Sequence, residues 1–262
     1  MSGTNDPGEP YDRLAMARSF DATAAAYELG RPGYPAAAIE WWVRQGAFPF
    51  GGTVLDLAAG TGKLTRSLVA RGCDVVAVEP LANMRAELAA VLPGMRTLDG
   101  TAEQVPLPDG CVDAVFVGQA FHWFDQPVAL AEIHRVLRPG GGSGLGLIWN
   151  DDVRPAAAGW AALAAGVKHE IGGGAVQHGI DQTMAAVAMS DLFGPAQFEL
   201  VAWSEETTAE RVLASVLSRS YVTVLDEAGR EEVLAPIRAA LAEAPAPLVR
   251  HHVASTFWCP RI

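Results

Sequence analysis

The chain has 262 residues, half of them hydrophobic, enough for one large domain with a sizeable core. Its formal charge is −11 and its isoelectric point about 4.9, with lysine only at Lys63 and Lys168. A nucleic-acid surface needs clustered cations, so none is expected. Cys73, Cys111 and Cys259 have no metal-ligand spacing and no disulfide framework, which reads as a reducing cytoplasm. No apolar run reaches the roughly 20 residues of a membrane span, so no membrane partner is expected.

Met1–Pro10 is polar, with Gly and Pro and no signal-peptide core, and reads as a frayed tail. A helix is predicted over Tyr11–Leu29, anchored by Phe20 and Tyr27 and broken by Gly30-Arg31-Pro32-Gly33-Tyr34-Pro35. A second, over Ala36–Gln45, places Ile39, Trp42 and Val43 on one face. The stretch Val54–Gly62 then reads as a buried strand, a glycine turn and a helix start. Gly60 and Gly62 allow a sharp turn and close approach of a ligand to the backbone. Lys63–Arg71 is the helix, stopped by Gly72, and Val75–Val78 is a second apolar strand ending in Glu79. An acidic residue there can accept hydrogen bonds from two ribose hydroxyls. Position 65, where a dinucleotide fingerprint has its third glycine, is Thr65. Asp56, at the end of the first strand, would repel a pyrophosphate but suits a cationic amino group.

Asp56, the glycine turn and Glu79 together resemble the class I S-adenosylmethionine-dependent methyltransferases, whose motif is acid-x-Gly-x-Gly-x-Gly. Ala58 stands here in place of the first glycine. The resemblance implies a Rossmann-like α/β sheet, mostly parallel with an antiparallel last strand, helices on both faces and a helical cover. It also implies S-adenosylmethionine as cofactor and a leading helix lying across it as a lid. The pattern Tyr27…Arg31-Pro32-x-Tyr34-Pro35 is common in one branch and would place Tyr27 and Arg31 at the cofactor. The alternative is that Tyr27 and Tyr34 pack on the core edge.

The helix Leu81–Val91 presents Leu81, Met84, Leu88 and Val91 at helical spacing, so Met84 reads as core. Met95–Leu98 is a short third strand, followed by Asp99-Gly100-Thr101-Ala102-Glu103. That loop resembles the family's Gly-x-Ala-Glu segment, which lies beside the adenine and would assign Thr101 and Ala102 to the cofactor. An ordinary helix N-cap by Thr101 is the competing reading. Val112–Val117 is the fourth strand, and ligands of open parallel sheets bind at strand carboxyl ends. This rule puts Gln119, His122 and Trp123, within Gly118–Phe124, next to the cofactor. A helix over Pro127–Leu137 runs into Arg138-Pro139-Gly140-Gly141, whose approach from Arg135 is another family hallmark. Leu145–Trp149 is the fifth strand, with Asn150 at its tip.

Beyond this, Pro155–Lys168 reads as helical, Ile171–Gly174 as a joint, Phe198–Trp203 as a strand and Ala209–Ser218 as an amphipathic helix. Glu231–Glu243 reads as a further helix and His252–Trp258 as the last strand. One domain over 1–262 is expected: lid helices at about 11–45, a cofactor core at about 50–150, and a cover with C-terminal strands at about 151–262. The segment from Gln119 to Asp125, and more faintly Ser218-Arg219-Ser220-Tyr221, resembles the branch containing trans-aconitate methyltransferase-like enzymes.

The implied reaction is methyl transfer to a small molecule, at a carboxylate or hydroxyl oxygen. A carboxylate needs no base, whereas a hydroxyl does, and His122 is the candidate. A packed structural histidine is the competing reading for His122. Trp123, Trp149 and Trp160 suit an apolar or aromatic substrate, with core packing the expectation for Trp149. Asn150, Arg219 and Tyr221 are the other substrate candidates, Arg219 as holder of a carboxylate. No metal cluster is expected. A cofactor-binding protein of the same fold that transfers no methyl is the alternative function. An NAD-dependent oxidoreductase is disfavoured by Thr65 and Asp56.

Overall fold

A computed structural model describes residues 21–47, 51–153, 159–164 and 175–262, with the side chains of 175–179 and 221 outside the description. Seven strands form one sheet in the order β3-β2-β1-β4-β5-β7-β6. The parallel part comprises β1 (Thr53–Leu57), β2 (Asp74–Val78), β3 (Arg96–Leu98), β4 (Ala114–Gly118) and β5 (Gly144–Asp152). At the other end β7 (Leu248–Pro260) runs antiparallel to both β5 and β6 (Gln197–Thr207). This is the Rossmann-like sheet with an antiparallel last strand that the sequence implies.

Side chains alternate across the sheet, and the continuous apolar strands supply both faces. Leu55, Leu57, Val115, Leu145, Leu147 and Trp149 pack with Leu130 and Ile133 of α5 (Gln126–Val136; helices are numbered in chain order). On the opposite face Val54, Val75, Phe116 and Ile148 pack with Ile39 and Trp42 of α2 (Ala36–Arg44) and with Leu64 and Leu68 of α3 (Lys63–Val69). Met84 is buried on α4 (Ala82–Val91), as its spacing predicts. A third cluster joins α7 (Ala209–Leu217), the short α8 (Ser220–Thr223) and α9 (Glu227–Ala242) through Val212, Val216, Val222, Leu234 and Ile237. The helix α6 (Ala175–Met189) lies between the fifth and sixth strands, where the cover is expected.

Several boundaries differ from the sequence expectation. The fifth strand runs on to Asp152, because β7 keeps pairing with it through His252, so Asn150 lies inside the strand and not at its tip. α9 starts at Glu227, four residues earlier than Glu231, because Asp226 caps it by accepting the Gly229 N–H at 2.8 Å. Of the predicted first helix only the end is described: a 3₁₀ turn at Asp21–Thr23 leads into α1 (Ala24–Gly30). The expected tail at Met1–Pro10 and joint at Ile171–Gly174 lie outside the described residues, as does most of Pro155–Lys168.

Candidate active site

The site is built on the turn between β1 and α3. Three of its residues take left-handed backbone: Ala58 (φ 58°), Gly60 (φ 57°) and Gly62 (φ 83°). These are the three glycine positions of the motif. Ala58 therefore adopts a conformation that costs an L-residue ~1–2 kcal/mol. At Gly60 a Cβ would meet nothing within 4 Å, so its backbone faces open space.

Two buried carboxylates stand at the strand ends beside this turn. Asp56 is 1% exposed, and its Oδ2 accepts the Thr65 hydroxyl at 2.5 Å. Its Oδ1 is buried without a hydrogen-bond partner. Burial pushes the Asp56 carboxyl up to about 7, against the Thr65 bond and assisted by the nearby Glu79 charge. Glu79 stands at the end of β2, where Oε2 accepts the Gly60 N–H at 2.8 Å and Oε1 the Leu81 N–H at 2.9 Å. Burial raises its carboxyl too, opposed by those two bonds. A carboxylate offers about four lone-pair sites, so both oxygens keep acceptor capacity.

The leading helix α1 lies against this turn. Arg66 holds the Glu28 carboxylate in a fork at 2.8 and 3.2 Å, and Lys63 donates to the Glu28 carbonyl at 2.5 Å. Arg31 places its guanidinium 5.4 Å from the Tyr27 ring and donates to Ser218 Oγ at 2.9 Å. Tyr27 feels the charges of Glu79 and Glu28, and Tyr34 that of Asp56; burial raises both phenols. The Tyr34 hydroxyl stands 2.4 Å from where a Cβ on Gly118 would be, so the tip of β4 needs glycine to admit it. Tyr34 packs on the edge of the core, as considered for it, and its hydroxyl reaches the tip of β4.

At the tip of β4, Gln119 is a non-glycine residue at φ 60°; its side chain donates to the Asn150 carbonyl at 2.8 Å. Strained backbone of this kind gathers at functional sites. The 3₁₀ turn Phe121–Trp123 follows. His122 lies 4.7 Å from the Trp123 ring, and its Nδ1 accepts the Trp149 indole N–H at 3.5 Å. On the other side, Thr101 is exposed and no helix follows it, so it caps nothing, while Ala102 is buried in the core. Glu103 ties that loop to the β4 tip by accepting the Asp125 N–H at 2.9 Å.

Other substrate candidates are placed differently. The Asn150 amide is engaged within the protein: Nδ2 donates to the Gly33 carbonyl at 2.7 Å and Oδ1 accepts the Trp203 indole N–H at 3.2 Å. Arg219 is 5% exposed and bonded to Asp152 at 3.0 Å and to the Ala164 carbonyl at 2.6 Å, so a substrate carboxylate would have to displace an internal one. Trp160 packs on the α7–α9 cluster. The Tyr221 side chain lies outside the described residues.

A charged cluster escaped the sequence reading. Asp152 receives Arg219 at 3.0 Å, Arg250 at 2.8 Å and His252 Nδ1 at 3.1 Å, while His252 Nε2 stands 3.7 Å from Glu205 Oε1. Neither His252 contact is a hydrogen bond, the one to Glu205 being too long and the one to Asp152 misdirected, so they act as charge attraction. Burial opposes both charges, yet the partners win: Asp152 is held well below the usual carboxyl range and His252 is raised above the usual imidazole one. Its members come from four segments, and no motif spacing links them. Among the described residues no group of His, Cys, Asp and Glu is arranged to hold a metal, and no helix is long and apolar enough to cross a membrane.

Residues 55–143 match the family described as methyltransferase domain. Over 234 residues the chain is 42% identical to an uncharacterized methyltransferase of Mycobacterium tuberculosis, covering 89% of this chain and 90% of that one. The chain belongs to the class I S-adenosylmethionine-dependent methyltransferases. A malonyl-[acyl-carrier protein] O-methyltransferase of Pectobacterium atrosepticum is 33% identical over 138 residues, 51% of this chain and 53% of that one. Among solved structures, one described as a type II methyltransferase from Anaeromyxobacter dehalogenans superposes with a TM-score of 0.59 at 21% identity, covering 88% of this chain and 97% of that one. A Haemonchus contortus phosphoethanolamine N-methyltransferase in complex with S-adenosyl-L-methionine gives 0.55 at 15% identity, covering 97% of this chain and 60% of that one. At these identities the structures speak for the fold. The methyltransferase uses S-adenosylmethionine, and two observations fit it: the unpartnered Asp56 Oδ1 suits a cationic amino group, and the open face at Gly60 admits a ligand against the backbone.

Proposed function

We propose that this methyltransferase methylates a carboxylate oxygen of a small molecule. The observation that supports this acceptor is at His122, whose Nδ1 already accepts the Trp149 indole N–H at 3.5 Å. That nitrogen is not left to take a proton from an acceptor hydroxyl. A carboxylate is ionised well below neutral pH and needs no base. The resemblance to a malonyl-[acyl-carrier protein] O-methyltransferase over half the chain favours oxygen as the methylated atom.

When bound, S-adenosylmethionine supplies an electrophilic methyl group on a sulfonium. The chain's own residues hold it, align the acceptor and exclude water. Glu79 accepts the ribose hydroxyls on its remaining lone pairs, and Asp56 Oδ1 takes the amino group. Ala58, Gly60 and Gly62 shape the turn against which the cofactor lies. Thr101 and Ala102 border the adenine, and Gln119 stands at the β4 tip near the transferring group. Tyr27 and Arg31 cover the cofactor from α1. Trp123 and His122 line the acceptor side. Asn150 serves this site as a frame, through the carbonyl that orients Gln119. The free cysteines Cys73, Cys111 and Cys259 suit work in a reducing cytoplasm.

The test is a turnover panel. Purified protein and S-adenosylmethionine are incubated with small carboxylic acids, phenols, alcohols and amines, and S-adenosylhomocysteine is followed by mass spectrometry. Turnover is expected with carboxylic acids, and the product should release methanol in mild base, as an ester does and an ether does not. Turnover confined to phenols, alcohols or amines refutes the carboxylate. Tight cofactor binding with no turnover across the panel favours the binding-protein alternative.

A further inference from the structure

Asp56 and Phe116 are register partners in β1 and β4, and side chains two residues apart share a sheet face. Asp56, Phe116 and Gly118 therefore look toward α2 and α3, the side on which Tyr34 packs. The chain is fixed on both sides of Tyr34. Asn150 Nδ2 holds the Gly33 carbonyl at 2.7 Å, and Pro35 occupies the N-cap of α2, its ring setting φ at −66°. The phenol so held ends over Gly118, with its hydroxyl 2.4 Å and its Cζ 3.0 Å from where a Cβ there would stand. That hydroxyl makes no hydrogen bond with the described residues. Burial keeps it protonated, so it is a donor at neutral pH. Asp56 Oδ1, on the same face, is an acceptor that also lacks a partner.

A donor and an acceptor that stand on one face and do not meet each other suit a ligand that carries both. We propose that Tyr34 binds the amino-acid end of the cofactor: its hydroxyl donates to the α-carboxylate of S-adenosylmethionine while Asp56 accepts from the amino group on the same carbon. This role of Tyr34 rests on the amino group lying at Asp56, as read above. Charge agrees with the polarity. The negative charge of Asp56 and the positive charge of Arg31 both reach Tyr34. An ammonium–carboxylate pair is favoured with its amino group toward Asp56 and its carboxylate toward Tyr34 and Arg31. The reverse orientation brings like charges together on both sides. Glycine at position 118 belongs to the same arrangement, because any larger residue takes the place of the hydroxyl.

The test is calorimetric titration with two ligands, S-adenosylhomocysteine and its decarboxylated analogue, which keeps the amino group and lacks the carboxylate. Weak binding of the analogue is read by competition against S-adenosylhomocysteine. Tyr34→Phe keeps the ring and removes only the hydroxyl, so the variant should melt near wild type. It should bind S-adenosylhomocysteine on the order of 10–100-fold more weakly, as for a lost hydrogen bond to a charged group, and the analogue within about threefold of wild type. Gly118→Ala, whose Cβ pushes the ring aside, should lose S-adenosylhomocysteine to a similar extent. An unchanged Kd for S-adenosylhomocysteine in Tyr34→Phe overturns the proposal, and so does an equal loss on both ligands. A Gly118→Ala variant that binds as wild type overturns the seating of the hydroxyl at the β4 tip. Asp56→Asn tests the reading beneath it, and should weaken both ligands at about pH 8, where Asp56 is mostly ionised. If it weakens neither, the amino group does not lie at Asp56 and the shared grip fails, while the difference between ligands in Tyr34→Phe still decides the carboxylate.

Discussion

Cofactor affinity should depend on the protonation of Asp56. In the free protein burial holds this carboxyl at about 7, so at pH 6 it is mostly neutral and at pH 8 mostly ionised. A ligand whose cationic amino group meets the partnerless Oδ1 binds the ionised form. The ionised fraction is about one-tenth at pH 6 and about nine-tenths at pH 8, so the Kd should tighten about tenfold across that interval and level off above it. The sign is fixed by linkage: binding lowers the carboxyl's pKa, and below pH 7 it must release a proton. The converse holds for stability without cofactor. The unfolded chain gives up this proton near pH 4 and the native one near 7, so the Asp56 contribution to stability falls as pH rises between them.

Calorimetric titration of S-adenosylhomocysteine at pH 6, 7 and 8 measures the slope, and buffers of different ionisation enthalpy count the released proton. Burial raises the Glu79 carboxyl as well, so Asp56→Asn is the needed control. The variant should bind more weakly at pH 8, by ~1.5–3 kcal/mol for a lost charged hydrogen bond, and show a flatter profile. A flat wild-type profile, or an Asp56→Asn profile as steep as wild type, refutes the reasoning.

Glu79→Ala removes the acceptor of two backbone N–H groups as well as the proposed ribose contact, and should weaken S-adenosylhomocysteine binding by ~1.5–3 kcal/mol; an unchanged Kd rejects the assignment. Gly60→Ala puts a Cβ into open space at φ 57°, so it should lower stability by ~1–2 kcal/mol while reducing cofactor affinity much further; thermal melting and titration on one preparation separate the two. Gly30→Ala would set a Cβ 2.1 Å from the Ser215 backbone nitrogen, forcing α1 away from α7; it should cost ~1–3 kcal/mol in denaturant unfolding and loosen cofactor binding, and a silent variant would show that the helices separate freely.

What the sequence made legible is local. Val54–Leu57, Val75–Val78 and the glycine turn are contiguous apolar or turn signals, and each became the expected element within a residue or two. Glu79 could be placed because a strand end and a loop start are both visible in the chain. Long-range pairing was not visible in the same way. Nothing near Asn150 says that β5 continues to Asp152, because the cause is its partner strand about a hundred residues later. The same is true of Arg219: its neighbours suggest a free cation, and only the fold brings Asp152 and the Ala164 carbonyl to it. Trp149 reads as core from its strand and is core; that its one polar atom meets His122 follows from the packing of β5 against the turn after β4.

The two halves of the molecule are held to the cofactor side by different physics. The sheet is joined by apolar burial on both faces, whereas α1 buries only Ala24 and Gly30 along its length. Its attachment is polar and concentrated at its carboxyl end. Glu28 meets Arg66 and Lys63, Arg31 meets Ser218, and the Gly30 carbonyl accepts Arg250 at 3.0 Å. Arg250 in turn pairs with Asp152, so the charged cluster reaches from the extended end of β5 to the end of α1. A partly exposed ion pair contributes little on its own, ~0–1 kcal/mol, and exchanges readily with water. Arg250 is different: it is 7% exposed, so breaking its contacts leaves a buried charge without partners, which is costly. The carboxyl end of α1 is thus tied firmly through Arg250, while the weaker pairs of Glu28 and the small apolar area hold the rest. On the proposed placement of the cofactor between Tyr27 and the glycine turn, its entry would displace only those weaker contacts, and the anchored end would bring the helix back to the same place.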